Sequence, residues 1–388
     1  MMNETRHIDL HLPRSWNQCS LSQLRAIADI MVSCALNADH LHPFDMYQVK
    51  VGVFFRLTGL KIIEPINPRV PVEDQYYQCR LLPYSLDDEH RWCGLYRRWR
   101  TFRAWFSRSV LGRDDSFSLY LWQIDYWLRE RKEKPRPAVL TPIGELNKPK
   151  ERIIPGMLDW LNGGSADAIM RFPLPDLHLR RHPFGRRHTF RGPNPMMDGF
   201  SWQRYRFCQD FMQLYADQQN QLVRLARQGR MASPDELLKA ARSVDLAKAM
   251  FLATIFERRL RFVDETTGRP RTDFCYQSNQ HSDNAPYFRN FPDGDWQLIL
   301  LWWQSMMHYL AKQFPKVYKR QPVSSTGKTP NPLEIYTRTT ATLEKYLQVT
   351  AHDIEREPYT TILQQLEDIT NHNEEMERIQ KQMKRKKH

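Results

Sequence analysis

Apolar residues recur along this chain mostly at helical spacing. The longest such run is residues 296–314, WQLILLWWQSMMHYLAKQF, where Leu298, Ile299, Leu300, Leu301, Trp302, Trp303, Met306, Met307, Tyr309 and Leu310 leave almost no polar face. A helix apolar all round is buried on every side or lies in lipid. Gln297, Gln304, Ser305 and His308 interrupt the run before it could cross a hydrocarbon layer of ~30 Å. Asp293 and Asp295 supply N-cap chemistry and Pro315 stops the winding, so the run predicts a central buried helix. Leu24, Ile27, Ala28, Met31 and Cys34 predict a helix over 21–36, and Tyr47, Val51, Phe54 and Phe55 another over 44–57 that ends at Gly59. Tyr205, Phe207, Phe211, Leu214, Tyr215, Leu222 and Leu225 predict a helix over 202–227. Ser233-Pro234-Asp235-Glu236 reads as a helix start, with Ser233 as cap and Pro234 at the first helical position. Leu246, Met250, Phe251, Ile255 and Leu260 predict another, separate helix over 243–262, followed by a polar loop to 295. Two more helices are expected at 333–348 and 359–384. Alternation is rarer: Ile8, Leu10 and Leu12 suggest a strand or extended arm, and 75–82 (QYYQCRLL) a strand. The fold class is therefore mainly α, an irregular helical bundle around a buried central helix with a few short strands and long Pro/Gly-rich loops.

Proline, glycine and charge set the boundaries. The first region is 1–134, helical and rich in Trp and Arg towards its end. Residues 135–200 form a linker and a basic loop, PLPDLHLRRHPFGRRHTFRGPNP at 173–195, expected to be exposed. The bundle domain is 201–320, and 321–388 carries a linker, QPVSSTGKTPNP, and C-terminal helices with a charged tail. The 388 residues are 41% hydrophobic and 12% aromatic, enough for a real core, which excludes a disordered chain. The formal net charge of +13 allows nucleic acid, an acidic protein surface, anionic lipid or simply a solvated basic surface. Six scattered cysteines without a CxxC pair read as buried reduced thiols rather than as zinc ligands or a secreted scaffold. With no signal-peptide pattern at the start and no spanning run, the expected location is the cytoplasm of a bacterial host.

Candidate chemistry is sparse. Between 92 and 106, Trp92, Tyr96, Trp99, Phe102, Trp105 and Phe106 recur at three- and four-residue steps among Arg97, Arg98, Arg100, Arg103 and Arg108. Such arginines can track phosphates while rings stack on bases. At helical spacing the favoured expectation is that the aromatics face the core and the arginine stems cover the rim. With Arg180, Arg181, Arg186, Arg187, Arg191 and the terminal Lys384, Arg385, Lys386 and Lys387, they form the candidate contacts for nucleic acid or an acidic partner. His178, His182 and His188, with Asp176, could in principle hold a metal and hydrolyse a phosphodiester, but the arginines between them would repel a divalent cation. Cys275, His281 and Asp283 offer a nucleophile and its base without a supporting motif. No phosphate loop, dinucleotide fingerprint, GxSxG elbow or HExxH is present. No catalytic residue, metal or cofactor is therefore assigned.

The C-terminal phrase LEKYLQVTAHDIEREPYTTILQQLEDITNHNEEMER, through Leu343, Leu347, Thr350, Asp353, Ile354, Tyr359, Ile362, Leu363, Leu366 and Glu367, resembles the ends of proteins from tail-morphogenesis clusters of tailed phages and prophages. LPRSWNQCSLSQLRAIADIM near the start and GFSWQRYRFCQDFMQLYADQQN onward to FPKVY are similar to the same group, while 85–200 has no counterpart there. The resemblance implies a non-enzymatic assembly factor, akin to tail-assembly chaperones, whose partner is another virion or tail protein. The alternatives are a basic nucleic-acid-binding protein and a metal-dependent nuclease built on the histidine loop.

Overall fold

The computed structural model describes residues 12–36, 45–83, 94–112, 115–133, 152–162, 169–174, 176–182, 184–227, 233–263, 268–276, 281–318 and 332–386. Among them the chain is mainly α, with eleven α-helices and nine short strands paired antiparallel. The expected arm at 8–12 and most of the linkers at 135–155 and 321–332 lie outside the described residues. The chain divides into two compact units: Met1–Ile169 with Asp293–Leu301, and Met170–Pro292 with Trp302–His388.

In the first unit, α1 (Leu21–Leu36) and α2 (Met46–Thr58) pack through Ile27, Ala28, Val49, Val53 and Phe54, all without exposed surface or nearly so. The Asp45 carboxylate accepts the Tyr47 N–H to start α2, and Gly59 at φ 68° ends it in the left-handed region that suits glycine. Strands β1 (Leu60–Glu64), β2 (Tyr76–Leu81) and β3 (Phe117–Tyr120) form an antiparallel sheet in that order. Between β2 and β3 lies α3 (Gly94–Ser109), and after β3 comes α4 (Leu121–Leu128), whose Ile124 and Leu128 are buried. Strands β4 (Arg131–Glu133) and β5 (Arg152–Ile154) pair at the two ends of the proline-rich stretch. Trp16 meets Trp160 edge-on at 5.0 Å. The buried Lys50 ammonium is neutralised by Asp159, which also accepts the Gly156 N–H. Arg25 pairs at 2.9 Å with Asp295, in the first turn of α8 (Asp293–Gln313).

The second unit holds the sheet β6 (Asp176–Arg180), β7 (Arg187–Arg191), β8 (Glu257–Val263) and β9 (Pro270–Cys275) in sequential order. Its helices are α5 (Trp202–Arg227), α6 (Pro234–Ile255), α7 (His281–Asn284), the part of α8 from Trp302, α9 (Pro332–Leu347), α10 (Ala351–Arg356) and α11 (Tyr359–Lys386). Ser233 and Glu236 close a reciprocal capping box on α6, and Thr350 with Asp353 does the same for α10. Two expectations are corrected here. Residues 173–195 are not simply a loop, because 176–191 form the β6–β7 hairpin, with Leu177 and Leu179 half-buried and Phe190 fully so. The separate helix expected over 243–262 is the second half of α6, which runs unbroken from Pro234 and stops at Ile255. Phe256 takes an extended conformation and fits between Phe172 (5.4 Å) and Phe288 (5.6 Å), and the chain continues as β8.

Close approach fixes Gly192. A Cβ there would stand 2.8 Å from the Leu174 carbonyl oxygen and nearer still to the Phe172 ring. That ring cannot retreat, because it is held edge-on by Phe256 and by Trp302 at 4.8 Å. Gly192→Ala is therefore expected to lower stability by about 1–3 kcal/mol, the usual cost of overpacking, as read from the midpoint of urea denaturation.

The start of α11 is clasped to the segment before α5. Trp202 N–H donates to the Glu357 carbonyl at 2.7 Å and Tyr359 N–H to that of Phe200 at 3.1 Å, around an isolated Ser201–Pro358 bridge. The Tyr359 hydroxyl donates to the Met196 carbonyl at 2.7 Å, and its ring stacks on Tyr205 at 4.9 Å.

Candidate functional site

Helix α3 is oriented against expectation. Its aromatic side faces outward: Tyr96, Trp99, Phe102, Trp105 and Phe106 keep between 43% and 58% of their surface in water, and Val110 and Leu111 continue the exposed run. The half-buried positions are Arg100, Ala104, Ser107 and Arg108. Two polar anchors explain this. The Arg100 guanidinium donates to the Pro83 carbonyl at 2.9 Å, and Arg108 donates to Asp115 at 3.3 Å, a carboxylate that Arg80 of β2 also engages at 2.5 Å. Satisfying those groups turns the polar side of α3 towards its own unit. The outward side presents on the order of 500 Å² of aromatic surface, taking the usual ~200 Å² per ring about half exposed. Patches of this size mark interaction surfaces. Arg103 lies over Trp99 at 5.5 Å and Arg100 over Tyr96 at 5.1 Å, so both arginines stiffen the stripe. Arg98 is exposed, and the Arg97 side chain lies outside the described part.

The second basic set gathers on the four-stranded sheet. Register places Arg180 directly opposite Arg187, His178 opposite Thr189, and Asp176 opposite Arg191, all on one face. Arg191 pairs across to Glu257, which carries that face into β8 with Arg259 and Arg261, both exposed. Arg191 stacks on Phe274 at 3.8 Å. Arg181 and Arg186 sit exposed in the turn. The reading as a helix over 243–262 missed Arg259 and Arg261; the two-residue alternation of ERRLRFV was the signal that could have found them. Lys384, Arg385 and Lys386 fall on the last turn of α11 with side chains outside the described part, and Lys387 lies beyond it.

The histidines considered for a metal do not converge. His178 lies on the arginine face and touches Thr189 at 3.3 Å, whereas His188 falls on the opposite face beside Arg258 at 3.0 Å and Tyr287. Burial, then Arg258 and Arg186, hold its pKa below the ordinary histidine value. Among the described residues no three His, Cys, Asp or Glu are grouped to hold a metal ion, and no helix is long and apolar enough to cross a membrane.

Cys275, His281 and Asp283 do not assemble as a nucleophile and base. Burial, then Glu257 and Asp273, raise the Cys275 thiol pKa, which keeps it protonated and a poor nucleophile. Asp283 is exposed, and the His281 ring is engaged elsewhere. The Thr254 hydroxyl donates to the Met250 carbonyl at 2.8 Å, so it accepts from His281 Nδ1 at 3.0 Å. That fixes the tautomer and leaves Nε2 to accept from the Tyr276 hydroxyl at 3.2 Å. Phe207 and Phe211 cover the ring. Burial, then the Arg204 charge, bring its pKa down to about 4. An unfolded chain, with histidine near 6.5, binds the proton first, so this contribution to stability is complete above about pH 6.5 and is lost as pH falls towards 4. His281→Gln is expected to flatten the pH dependence of Tm between pH 4 and 6.5 relative to the parent; scanning calorimetry across that range reads it.

Comparison with known proteins found no matching family model, no matching curated protein and no matching solved structure.

Proposed function

We propose that this chain is a non-enzymatic interaction factor that captures a helical, acidic segment of a partner protein on the outward face of α3. The observation that carries this reading is the reversed amphipathicity of α3, with its polar side held inward by Asp115 and the Pro83 carbonyl and its rings in water. Arg98 and Arg103 lie exposed and α3 carries no acidic residue, which sets the charge of the occupant. Apolar anchors at helical spacing suit a partner helix laid along the stripe. The resemblance of the C-terminal helices to tail-morphogenesis proteins supplies the setting: assembly of a phage or prophage tail, with a virion or tail protein as the client. Within this reading the body is an irregular bundle about α8, a view supported by the burial of Leu298, Ile299, Trp302, Trp303, Met306 and Leu310.

The test is direct titration of the purified full chain with the proteins encoded by the genes beside its own, tape-measure and tail-tube proteins being the expected clients. A saturable complex that weakens with salt supports the proposal. Neighbouring genes of unrelated kind, or no complex with any of these clients, overturns the tail-assembly setting.

A further inference from the structure

Independently of α3, the hairpin β6–β7 carries features that folding does not explain. Its five residue pairs run from Asp176–Arg191 to Arg180–Arg187, yet β7 pairs with β8 only through Phe190–Arg258 and Arg191–Glu257. Beyond those two pairs the hairpin continues towards its tip as a two-stranded ribbon among the described residues. One face of it rests on the body, with His188 against Arg258 and Tyr287, and the other is open. On the exposed face Arg180 stands directly opposite Arg187. In the tip, Phe184 is 101% exposed, a ring wholly in water between Arg181 and Arg186. The same face of the sheet adds Arg191, Arg259 and Arg261. Among the described residues that face also carries Asp176, opposite Arg191, and Glu257, taken at 2.6 Å by the buried Arg204.

We infer that the β6–β7 hairpin is a finger for double-stranded nucleic acid: Arg180, Arg187, Arg191, Arg259 and Arg261 bind backbone phosphates while Phe184 wedges between base steps. A two-stranded ribbon has the width to enter a groove. Guanidinium forks match phosphate oxygens. An acidic protein surface would also answer the arginines, but a single ring at the tip of a ribbon two strands wide fits a duplex groove better than a broad protein face. Unstacking by an apolar wedge gives that ring a role.

The experiment is fluorescence anisotropy of the full chain against a random 20-base-pair DNA duplex, the matching single strand, and vesicles of anionic lipid, over a salt series. Duplex binding is expected, with affinity falling steeply with salt. Arg180→Gln with Arg187→Gln reduces the slope of log K against log salt by about two. Phe184→Ala weakens duplex binding roughly tenfold with the slope unchanged. Thermal denaturation of each variant, expected to match the parent, separates these effects from misfolding. Absence of duplex binding at low salt overturns the inference. So does tighter binding to the single strand, duplex binding that both variants leave unaltered, or binding confined to vesicles.

Discussion

Arg204→Met is expected to lose about 3–5 kcal/mol of stability, the usual cost of removing one partner from a buried charge pair. Arg204 is 2% exposed. Its guanidinium donates to the carbonyls of Thr254 and Ile255, each at 3.0 Å, and to the Glu257 carboxylate at 2.6 Å. The two carbonyls belong to the last turn of α6, where helix geometry leaves them without intrahelical donors. One side chain on α5 therefore closes the end of α6 and neutralises the first residue of β8. The planar group also lies between the rings of Phe200 (3.8 Å) and Tyr276 (4.6 Å). Methionine fills much of the volume but leaves two carbonyls and a carboxylate unanswered. Lysine cannot reproduce a three-way fork, so Arg204→Lys should fall between the two. Adding Glu257→Gln to Arg204→Met should recover part of the loss, since no charge is then stranded. Urea denaturation of the three variants measures it; a loss under 1 kcal/mol for Arg204→Met would remove the fork from the account of stability.

The triple variant Trp99→Ser, Phe102→Ser, Trp105→Ser is expected to reduce client binding at least about 100-fold while leaving the fold intact. Aromatic anchors near the centre of an interface commonly cost 2 kcal/mol or more each when truncated. The three rings are each more than half exposed, and substitutions at such surface positions usually change stability by no more than about 0.5 kcal/mol. Binding by titration calorimetry and Tm by circular dichroism give the two readouts. A large drop in Tm would mean that the stripe belongs to the core after all. Unchanged binding with unchanged Tm would place the client elsewhere.

The sequence made some elements legible and hid others for identifiable reasons. Helices α1 and α5 could be placed from their apolar stripes, and Ser233 with Glu236 marks the start of α6 almost to the residue, though α6 is one helix where two were expected. The hairpin β6–β7 escaped because its alternation is written in Asp176, His178 and Arg180 against Leu177 and Leu179, inside a stretch whose Pro and Gly content reads as loop. At Phe256 the helical pattern of α6 runs on through Leu260, and only packing against Phe172 and Phe288 decides where it breaks. For α3 the periodicity gives the stripe but not which way it faces. That depends on Asp115 and Pro83, distant in kind from anything in the helix itself. Arg180, Arg187 and Arg191 were recognisable as candidate contacts, whereas Arg259 and Arg261 joined them only once β8 was a strand.

The clasp between Phe200–Trp202 and Glu357–Tyr359 has a bearing on biosynthesis. Its halves are separated by more than 150 residues, so a nascent chain reaches α5 long before the tyrosine that lies across Tyr205 has been translated. Until then the Trp202 amide and the Phe200 carbonyl lack their mates. Completion of the second unit thus waits until Tyr359 has been made, and a product cut short before that residue leaves the first α-helix of that unit open at its base.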